Sequence, residues 1–269
     1  MPDATLRATL RRVFRFGNRR AVVRAGRLER IAGLPRYVTL YLPPGYDERG
    51  DRRYPVLYMQ DGQNLFEGER AYIPGQSWRL HEAADRAIGE RTALPMIIAG
   101  IDHAGTARID EYTPTRDPRL SGGGRADDYA RMLLEEIKPA IDARFRTIPA
   151  DNAIGGSSLG GLVSLYLALE HPTVFRAAAV MSPSVWWNQR AILREVDRFD
   201  GPRPKLWVDI GAREGREALD GARALRDRLK ANGWTNGMLR YHEDRRGDHS
   251  ERAWARRVRL ALEFLYAPA

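Results

Sequence analysis

A serine flanked by two glycines is the feature of this 269-residue sequence that is best suited to covalent chemistry. Gly156, Ser158 and Gly160 follow a strand pattern at residues 152–154 and precede a helix pattern at residues 162–170. The order strand, Gly-x-Ser-x-Gly, helix is typical of a nucleophile elbow, a sharp turn that exposes the serine hydroxyl. The turn leaves little room for side chains two residues before and after the serine, and glycine meets this requirement. The pattern therefore predicts Ser158 as a nucleophile.

A serine nucleophile of this kind needs a histidine base, which is expected later in the chain than the serine. His249 follows the last strand pattern and a polar loop, and it stands at the start of a final amphipathic helix. His249 is the predicted base, and His103, which follows an earlier strand pattern, is the alternative. Structural roles are indicated for the other histidines, which fall within helix and strand patterns: His81, His171 and His242.

Four carboxylates compete for the role of the acid that orients the histidine. Glu214 lies in the loop after a strand pattern, where such acids are found, and it is the predicted acid. Asp209 belongs to that strand pattern itself, and Glu217 lies further along the chain. Asp248 neighbours His249, and neighbouring side chains usually diverge. The residues alone leave the choice among these four open.

Acyl transfer also requires two backbone N–H groups that point at the developing negative charge. One is expected from Leu159, directly after the serine. The second is expected from Gln63, in the loop after an earlier strand pattern, because Gly62 permits a tight turn there. The side chains of Asp61 and Asn64 are expected to stabilise that turn.

Five segments contain these candidates: residues 41–46 (YLPPGY), 55–66 (PVLYMQDGQNLF), 155–161 (GGSSLGG), 182–187 (SPSVWW) and 249–254 (HSERAW). Together they resemble the esterase D-like family of α/β-hydrolases. That family includes enterochelin esterase-like enzymes, feruloyl and acetyl-xylan esterases and the antigen 85 mycolyltransferases. The resemblance extends from about residue 36 to the end of the sequence.

The resemblance implies Ser158 as nucleophile, His249 as base, and the amides of Gln63 and Leu159 as oxyanion hole. It places the acid at Glu214, a few positions past a Gly-Ala turn. Residues 162–164 (LVS) lack the histidine found there in S-formylglutathione hydrolases, which disfavours that branch.

The strand and helix patterns predict the α/β class, with a mainly parallel central sheet and helices on both faces. With 269 residues and 43% hydrophobic content, the chain can bury one large core. We expect a basic N-terminal extension and possible first strand at residues 1–30, followed by a single α/β-hydrolase domain at residues 31–269. The strand patterns lie at residues 36–42, 56–60, 96–101, 152–155, 177–181, 206–210 and 238–243, and the clearest helix patterns at 77–90 and 126–145.

Charge and composition narrow the possible partners. The net charge is +9, but arginines alternate with acidic residues, which favours an ion-paired surface over a nucleic-acid interface. The basic stretch at residues 7–30 is the exception, and nucleic-acid binding is not expected there. The sequence has no cysteine, and neither a metal nor a cofactor is expected. Neither a signal peptide nor a membrane-spanning stretch is evident, so a cytoplasmic protein is expected, in an oligomeric state left open.

Loops after the strand patterns are expected to bind a small-molecule ester. Arg108, Trp186 and Trp187 are the candidate substrate-binding residues, with loop packing an equal alternative for the tryptophans. The predicted function is a cofactor-independent serine carboxylic ester hydrolase that acts through an acyl-enzyme. The alternatives are an acyltransferase, as in the antigen 85 relatives, and a catalytically silent binding protein.

Overall fold

The computed structural model describes residues 25–48 and 50–268. The basic stretch before residue 25 therefore lies outside the described residues. The strands are β1 (Arg27–Ile31), β2 (Val38–Leu42), β3 (Tyr54–Gln60), β4 (Ile97–Ile101), β5 (Arg116–Asp117), β6 (Gly122–Gly123), β7 (Thr147–Ser157), β8 (Phe175–Met181), β9 (Lys205–Gly211) and β10 (Leu239–Asp244). The α-helices are α1 (Leu80–Gly89), α2 (Arg108–Glu111), α3 (Ala126–Met132), α4 (Lys138–Arg144), α5 (Leu159–Glu170), α6 (Trp187–Arg198), α7 (Arg216–Ala231) and α8 (Glu251–Leu265).

Eight of these strands form one sheet, in the order β1-β2-β4-β3-β7-β8-β9-β10. Strand β2 runs antiparallel to both of its neighbours, and every other adjacent pair in the sheet is parallel. The possible first strand expected within residues 1–30 corresponds to β1 at Arg27–Ile31, which pairs antiparallel with β2. Strands β5 and β6 form a separate small hairpin.

Helices cover both faces of the sheet, as predicted, because successive residues of each buried strand point to opposite sides. In β3, Leu57 and Met59 pack in a cluster with helices α1 and α8, whereas Val56 and Tyr58 pack with α3 to α7 on the other face. Parallel strands buried on both faces read as continuous apolar runs, which is why the sequence revealed them. None of the helices in the described part of the chain has the length and apolarity that crossing a bilayer requires.

Two predicted helices differ from those observed. The helix expected at residues 77–90 begins only at Leu80, because Arg79 adopts a left-handed conformation with φ of 49°. The long helix expected at residues 126–145 is divided into α3 and α4 by a π-helical segment at Leu133–Ile137. Neither difference moves a residue of the candidate site.

The parallel strands all end at the same edge of the sheet, and their following loops meet there. This topology brings together the turn after β3, Ser158 after β7, Ser182 after β8, Glu214 after β9 and His249 after β10.

Candidate active site

Ser158 lies in a strained turn between β7 and α5, with φ of 58° and ψ of −122°. A Cβ atom on Gly156 would lie 2.8 Å from both the Gln60 Cβ and the carbonyl carbon of Gly160. A Cβ on Gly160 would lie 3.0 Å from the Gln60 Cβ and from Asp61 Oδ2. Both glycines are therefore required by the close approach of the β3 end to the turn, and strain of this kind is typical of functional sites.

The structure brings Ser158, His249 and Glu214 into a hydrogen-bonded row. His249 Nε2 lies 3.0 Å from Ser158 Oγ, and His249 Nδ1 lies 2.7 Å from Glu214 Oε2. The Glu214 side chain is buried, whereas 46% of the His249 side chain is exposed. The rings of His249 and Trp254 pack edge to face, with centroids 4.9 Å apart. Such a row can transfer the serine proton to the imidazole while the carboxylate holds the ring.

Two loops place Glu214 and His249 opposite each other. The loop after β9 is bonded to the loop after β10, because Ala212 N–H donates to the Asp244 carbonyl and Arg213 N–H to the Gly247 carbonyl, both at 2.9 Å. A Cβ atom on Gly211 would lie only 2.5 Å from the carbonyl carbon of Gly247, so this approach needs glycine.

The other candidate acids and the alternative base point elsewhere. Asp248 accepts a hydrogen bond from the Ser250 hydroxyl, and Glu217 is exposed on α7. Asp209 is buried against Arg257 and Trp207. His103 Nδ1 accepts the Gly105 N–H at 2.9 Å. Glu214 is thus the candidate acid that contacts His249.

A buried polar cluster supports the Glu214 carboxylate from behind. The Ser182 hydroxyl accepts hydrogen bonds from Trp254 Nε1 at 2.9 Å and Arg257 Nη2 at 2.7 Å, so its proton is left to donate to Glu214 Oε1 at 2.5 Å. Arg257, 2% exposed, also donates through Nε to Asp209 Oδ1 at 3.1 Å, and Asp209 is fully buried. Arg257 Nη2 lies 3.6 Å from Glu214 Oε1, so one cation faces two carboxylates.

Glu214 is set to remain ionised at neutral pH. Burial by itself raises the pKa of a carboxyl group. In Glu214 the hydrogen bonds from His249, from Ser182 and from the Gly211 N–H outweigh burial and lower its pKa. In Asp209 burial prevails and raises the pKa, although Arg257 and Trp207 donate to it.

The turn after β3 lies beside the serine turn. Gly62, Gln63 and Asn64 form a single 3-10 turn, and a Cβ on Gly62 would lie 2.5 Å from the Gly100 carbonyl carbon. Only glycine lets this turn approach β4 so closely. The Gln63 side chain accepts the His103 N–H at 3.4 Å. We refer to residues 61–65 as the oxyanion turn, after the role that is expected of the Gln63 amide.

The oxyanion turn begins at Asp61, which has a left-handed φ of 56°. Its carboxylate forms two hydrogen bonds with Arg108, from Nε at 2.7 Å and from Nη2 at 2.8 Å, and its backbone N–H donates to the Tyr112 hydroxyl. The predicted substrate-binding residue Arg108 is therefore bound to the turn, with the guanidinium stacked over the Tyr112 ring.

The two adjacent tryptophans have different environments. Trp187 is 2% exposed, and its indole N–H donates to the Thr115 carbonyl at 2.7 Å. Trp186 is 38% exposed and leaves part of its ring open to solvent. Both follow Ser184, whose hydroxyl lies 3.3 Å from Ser158 Oγ. Of the two tryptophans, Trp186 is the one that offers an accessible aromatic surface.

Three residues that the structure places around Ser158, His249 and Glu214 were not predicted from the sequence: Ser182, Arg257 and Glu251. Arg257 carries a signal that could have revealed it, because it lies three residues after Trp254 on the apolar face of α8. Ser182 and Glu251 lie in two of the five segments that carry the family resemblance, but those segments do not indicate which partners the two side chains contact.

A cavity of about 620 Å³ lies at the opposite end of the strands, between the loop before β3 and the loop before β4. It contains none of the candidate site residues, and the chemistry described above lies at the other edge of the sheet.

The sheet order, the strained serine turn and the hydrogen-bonded row define an α/β-hydrolase. Residues 31–265 match the model of the family described as "Putative esterase", and the chain belongs to that family. It is accordingly an enzyme of the esterase type, a hydrolase of ester bonds.

Known proteins resemble this chain over most of its length. YbbA of Bacillus subtilis (strain 168), an uncharacterized protein, is 28% identical over 254 residues, which cover 88% of this chain and 95% of YbbA. The siderophore enterobactin esterase of Emericella nidulans is 30% identical over 203 residues, covering 67% of this chain and 66% of that enzyme. The structure of siderophore hydrolase EstA from Aspergillus nidulans has a TM-score of 0.69 at 22% identity, covering 94% of this chain and 98% of EstA, and thus shares the fold.

Proposed function

We propose that this esterase is a serine hydrolase that cleaves esters through an acyl-enzyme. The observation that carries the proposal is the row from Ser158 Oγ through His249 to Glu214, with distances of 3.0 and 2.7 Å. Both lie within the hydrogen-bonding range that proton transfer requires. The lowered pKa of Glu214 keeps its carboxylate available to stabilise the imidazolium that forms.

In the proposed reaction, His249 Nε2 takes the proton of Ser158 as the serine oxygen attacks the ester carbonyl carbon. The C=O π electrons move to the carbonyl oxygen, which becomes an oxyanion. Collapse of this intermediate expels the alcohol, and the imidazolium returns its proton to the leaving oxygen. Water then attacks the acyl-enzyme with His249 again as base, releasing the acid and restoring Ser158.

The amides of Gln63 and Leu159 are proposed to donate to the oxyanion. Leu159 follows the nucleophile at the N-terminus of α5, and Gln63 lies in the neighbouring oxyanion turn. Removal of one such donor costs about two to three orders of magnitude in kcat in other enzymes, so the position of the turn matters to rate.

For the substrate, we propose small-molecule esters of the siderophore class. The named relatives include a siderophore enterobactin esterase. The exposure of His249 and of the Trp186 ring is compatible with bulky esters, because neither group is enclosed. The exposed indole offers a flat surface on which an aromatic acyl group can pack.

A fluorophosphonate probe and a p-nitrophenyl acetate assay test the mechanism together. The probe should modify Ser158, and Ser158→Ala should lower kcat by roughly three to six orders of magnitude. Ser157→Ala is the matched control, because Ser157 is the adjacent buried residue of β7 and should leave labelling intact. Labelling at Ser157, or full activity of Ser158→Ala, would contradict the proposal.

The same assay separates hydrolysis from acyl transfer. Adding an acceptor alcohol should leave the yield of free acid unchanged if water is the acceptor. A new ester product in proportion to the alcohol would instead indicate an acyltransferase. Comparing a cyclic siderophore triester with a simple aryl ester then tests the substrate class, with higher kcat/KM expected for the triester.

A further inference from the structure

Glu251 connects two parts of the candidate site that are distant in sequence. It is the first residue of α8, two positions after His249, and its side chain reaches the oxyanion turn. Its Oε1 accepts a hydrogen bond from Asn64 Nδ2 at 3.0 Å. Its Oε2 accepts the indole N–H of Trp78.

The partners of Glu251 are themselves fixed. The Trp78 backbone N–H donates to the Asn64 carbonyl at 2.9 Å, and the Tyr72 N–H donates to Asn64 Oδ1 at 2.9 Å. Asn64 and Trp78 are both buried, and Trp78 packs against Trp254 of α8 with ring centroids 5.9 Å apart. The Asn64 amide thus joins the loop at residues 71–78 to helix α8.

The chemistry of this contact requires a carboxylate. Two N–H donors approach different oxygens of Glu251, and above its raised pKa of about 7 the ionised carboxylate only accepts, so it can receive both hydrogen bonds. Glutamine has the same shape but one acceptor oxygen, so its NH₂ group would face one of the two donors. An acid in the first helical turn is also favoured by the helix dipole, but that preference does not need contact with Asn64.

We propose that Glu251 is a positioning residue that holds the oxyanion turn against helix α8. Asn64 follows Gln63 directly, and His249 precedes Glu251 by two residues. The contact therefore fixes the Gln63 amide relative to the imidazole. This inference rests on the proposed function, because it assigns Glu251 a role in placing the oxyanion donor.

The test compares Glu251→Gln with Glu251→Asp, which keeps the negative charge at the helix end but is one methylene shorter. Activity is measured per active site, after titration with the fluorophosphonate probe, so that misfolded protein is not counted. We expect kcat for p-nitrophenyl acetate to fall about 10- to 100-fold in both variants, less than for complete removal of a donor. KM should stay within about threefold of the value for the unaltered protein, because the contact does not change how the substrate binds before reaction.

A thionoester substrate adds a readout that a merely structural role would not change. Sulfur accepts hydrogen bonds more weakly than oxygen and has a longer bond to carbon, so a well-placed oxyanion hole favours the oxygen ester. The ratio of kcat/KM for the ester over the matching thionoester should therefore fall in the Glu251 variants. Glu263→Gln is the control on the same helix, since Glu263 bonds to Arg259 and Thr92 away from the site, and it should match the unaltered protein.

Asn64→Ala removes the same contact from the side of the oxyanion turn. It provides a second test if a Glu251 variant does not fold. It should reduce the ester-to-thionoester ratio too, and the double variant Asn64→Ala/Glu251→Gln should be no slower than the slower single variant. Unchanged kcat per site, or equal losses for ester and thionoester, would overturn the inference. Failure of the probe to label Ser158 in the unaltered protein would overturn the proposed function and this inference with it.

Discussion

Replacing Arg257 with methionine tests the charge balance behind Glu214. Arg257 and Asp209 are 2% and 0% exposed and are joined at 3.0 to 3.1 Å. Methionine retains an apolar stem of similar length but no charge, so Asp209 would remain buried beside Glu214 without a cation. Removing one partner of a buried ion pair costs about 3–5 kcal/mol, and we expect a loss of unfolding free energy in that range.

The double variant Arg257→Met/Asp209→Asn removes both charges of the pair at once. The asparagine can still accept the Trp207 N–H, which donates to Asp209 at 2.8 Å. Because neutral replacements of buried ion pairs often cost little, we expect the double variant to lie within about 2 kcal/mol of the unaltered protein. It should thus be more stable than Arg257→Met alone.

Urea unfolding at neutral pH measures the unfolding free energy of both variants. If that free energy falls with urea concentration at the same slope in each, unfolding exposes the same amount of surface in each variant. The reasoning would be refuted if Arg257→Met lost less than about 1 kcal/mol, which is well below the range for a broken buried pair. Asp209→Asn is measured alone as well, and the reasoning would also be refuted if the double variant lost as much unfolding free energy as Arg257→Met and Asp209→Asn lose together.

Four further outcomes are expected. Glu214→Gln should lower kcat by about two to four orders of magnitude while the protein stays folded, because a neutral amide cannot stabilise the imidazolium of His249; near-normal turnover would show that the acid is misassigned. Trp186→Ala should raise KM for aryl esters, with a loss of about 1–3 kcal/mol in binding and little effect on p-nitrophenyl acetate. Trp187→Ala should instead lower the unfolding free energy by about 3–5 kcal/mol, because Trp187 is buried. Thermal unfolding measures the loss of stability, and a panel of esters measures the change in substrate preference. Burial raises the pKa of Glu251 from 4.5 to about 7. Between pH 4.5 and about 7, the Glu251 carboxyl therefore keeps its proton in the folded protein but loses it in the unfolded chain. The unfolding free energy of the unaltered protein should therefore fall by up to about 3 kcal/mol as the pH rises through this range, whereas that of Glu251→Gln should not. If the unfolding free energies of the two proteins changed with pH in parallel, the prediction would be wrong.

The strands were largely predictable, because strands buried on both faces carry an apolar signal in their own residues. The strand expected at residues 96–101 is Ile97–Ile101, and that expected at 206–210 is Lys205–Gly211. The first half of Thr147–Ser157 was not predicted, because it contains a proline and polar residues. It pairs only through the contact of Tyr54 with Thr147, which no local pattern reveals.

The candidate site was likewise predictable only in part. Ser158, Glu214 and His249 could be predicted from a local motif and from the loops that follow strands, although their catalytic roles stay predictions. The residues behind them could not, because their contacts join distant parts of the chain: Asn64 and Glu251 are 187 residues apart, and Ser182 and Arg257 are 75 apart. These contacts form only when α8 packs against the sheet.

Helix α8 carries Glu251 and Arg257, begins just after His249, and follows all ten described strands in chain order. During synthesis, the growing chain therefore contains Ser158 well before it contains the proposed base. Without an adjacent base, a serine hydroxyl is a weak nucleophile, so the nascent chain would be unreactive toward cellular esters. In the proposed mechanism, reactivity arises in one step, when the last helix packs against the sheet. Covalent labelling of Ser158 would thus report the completion of folding as well as the presence of the enzyme.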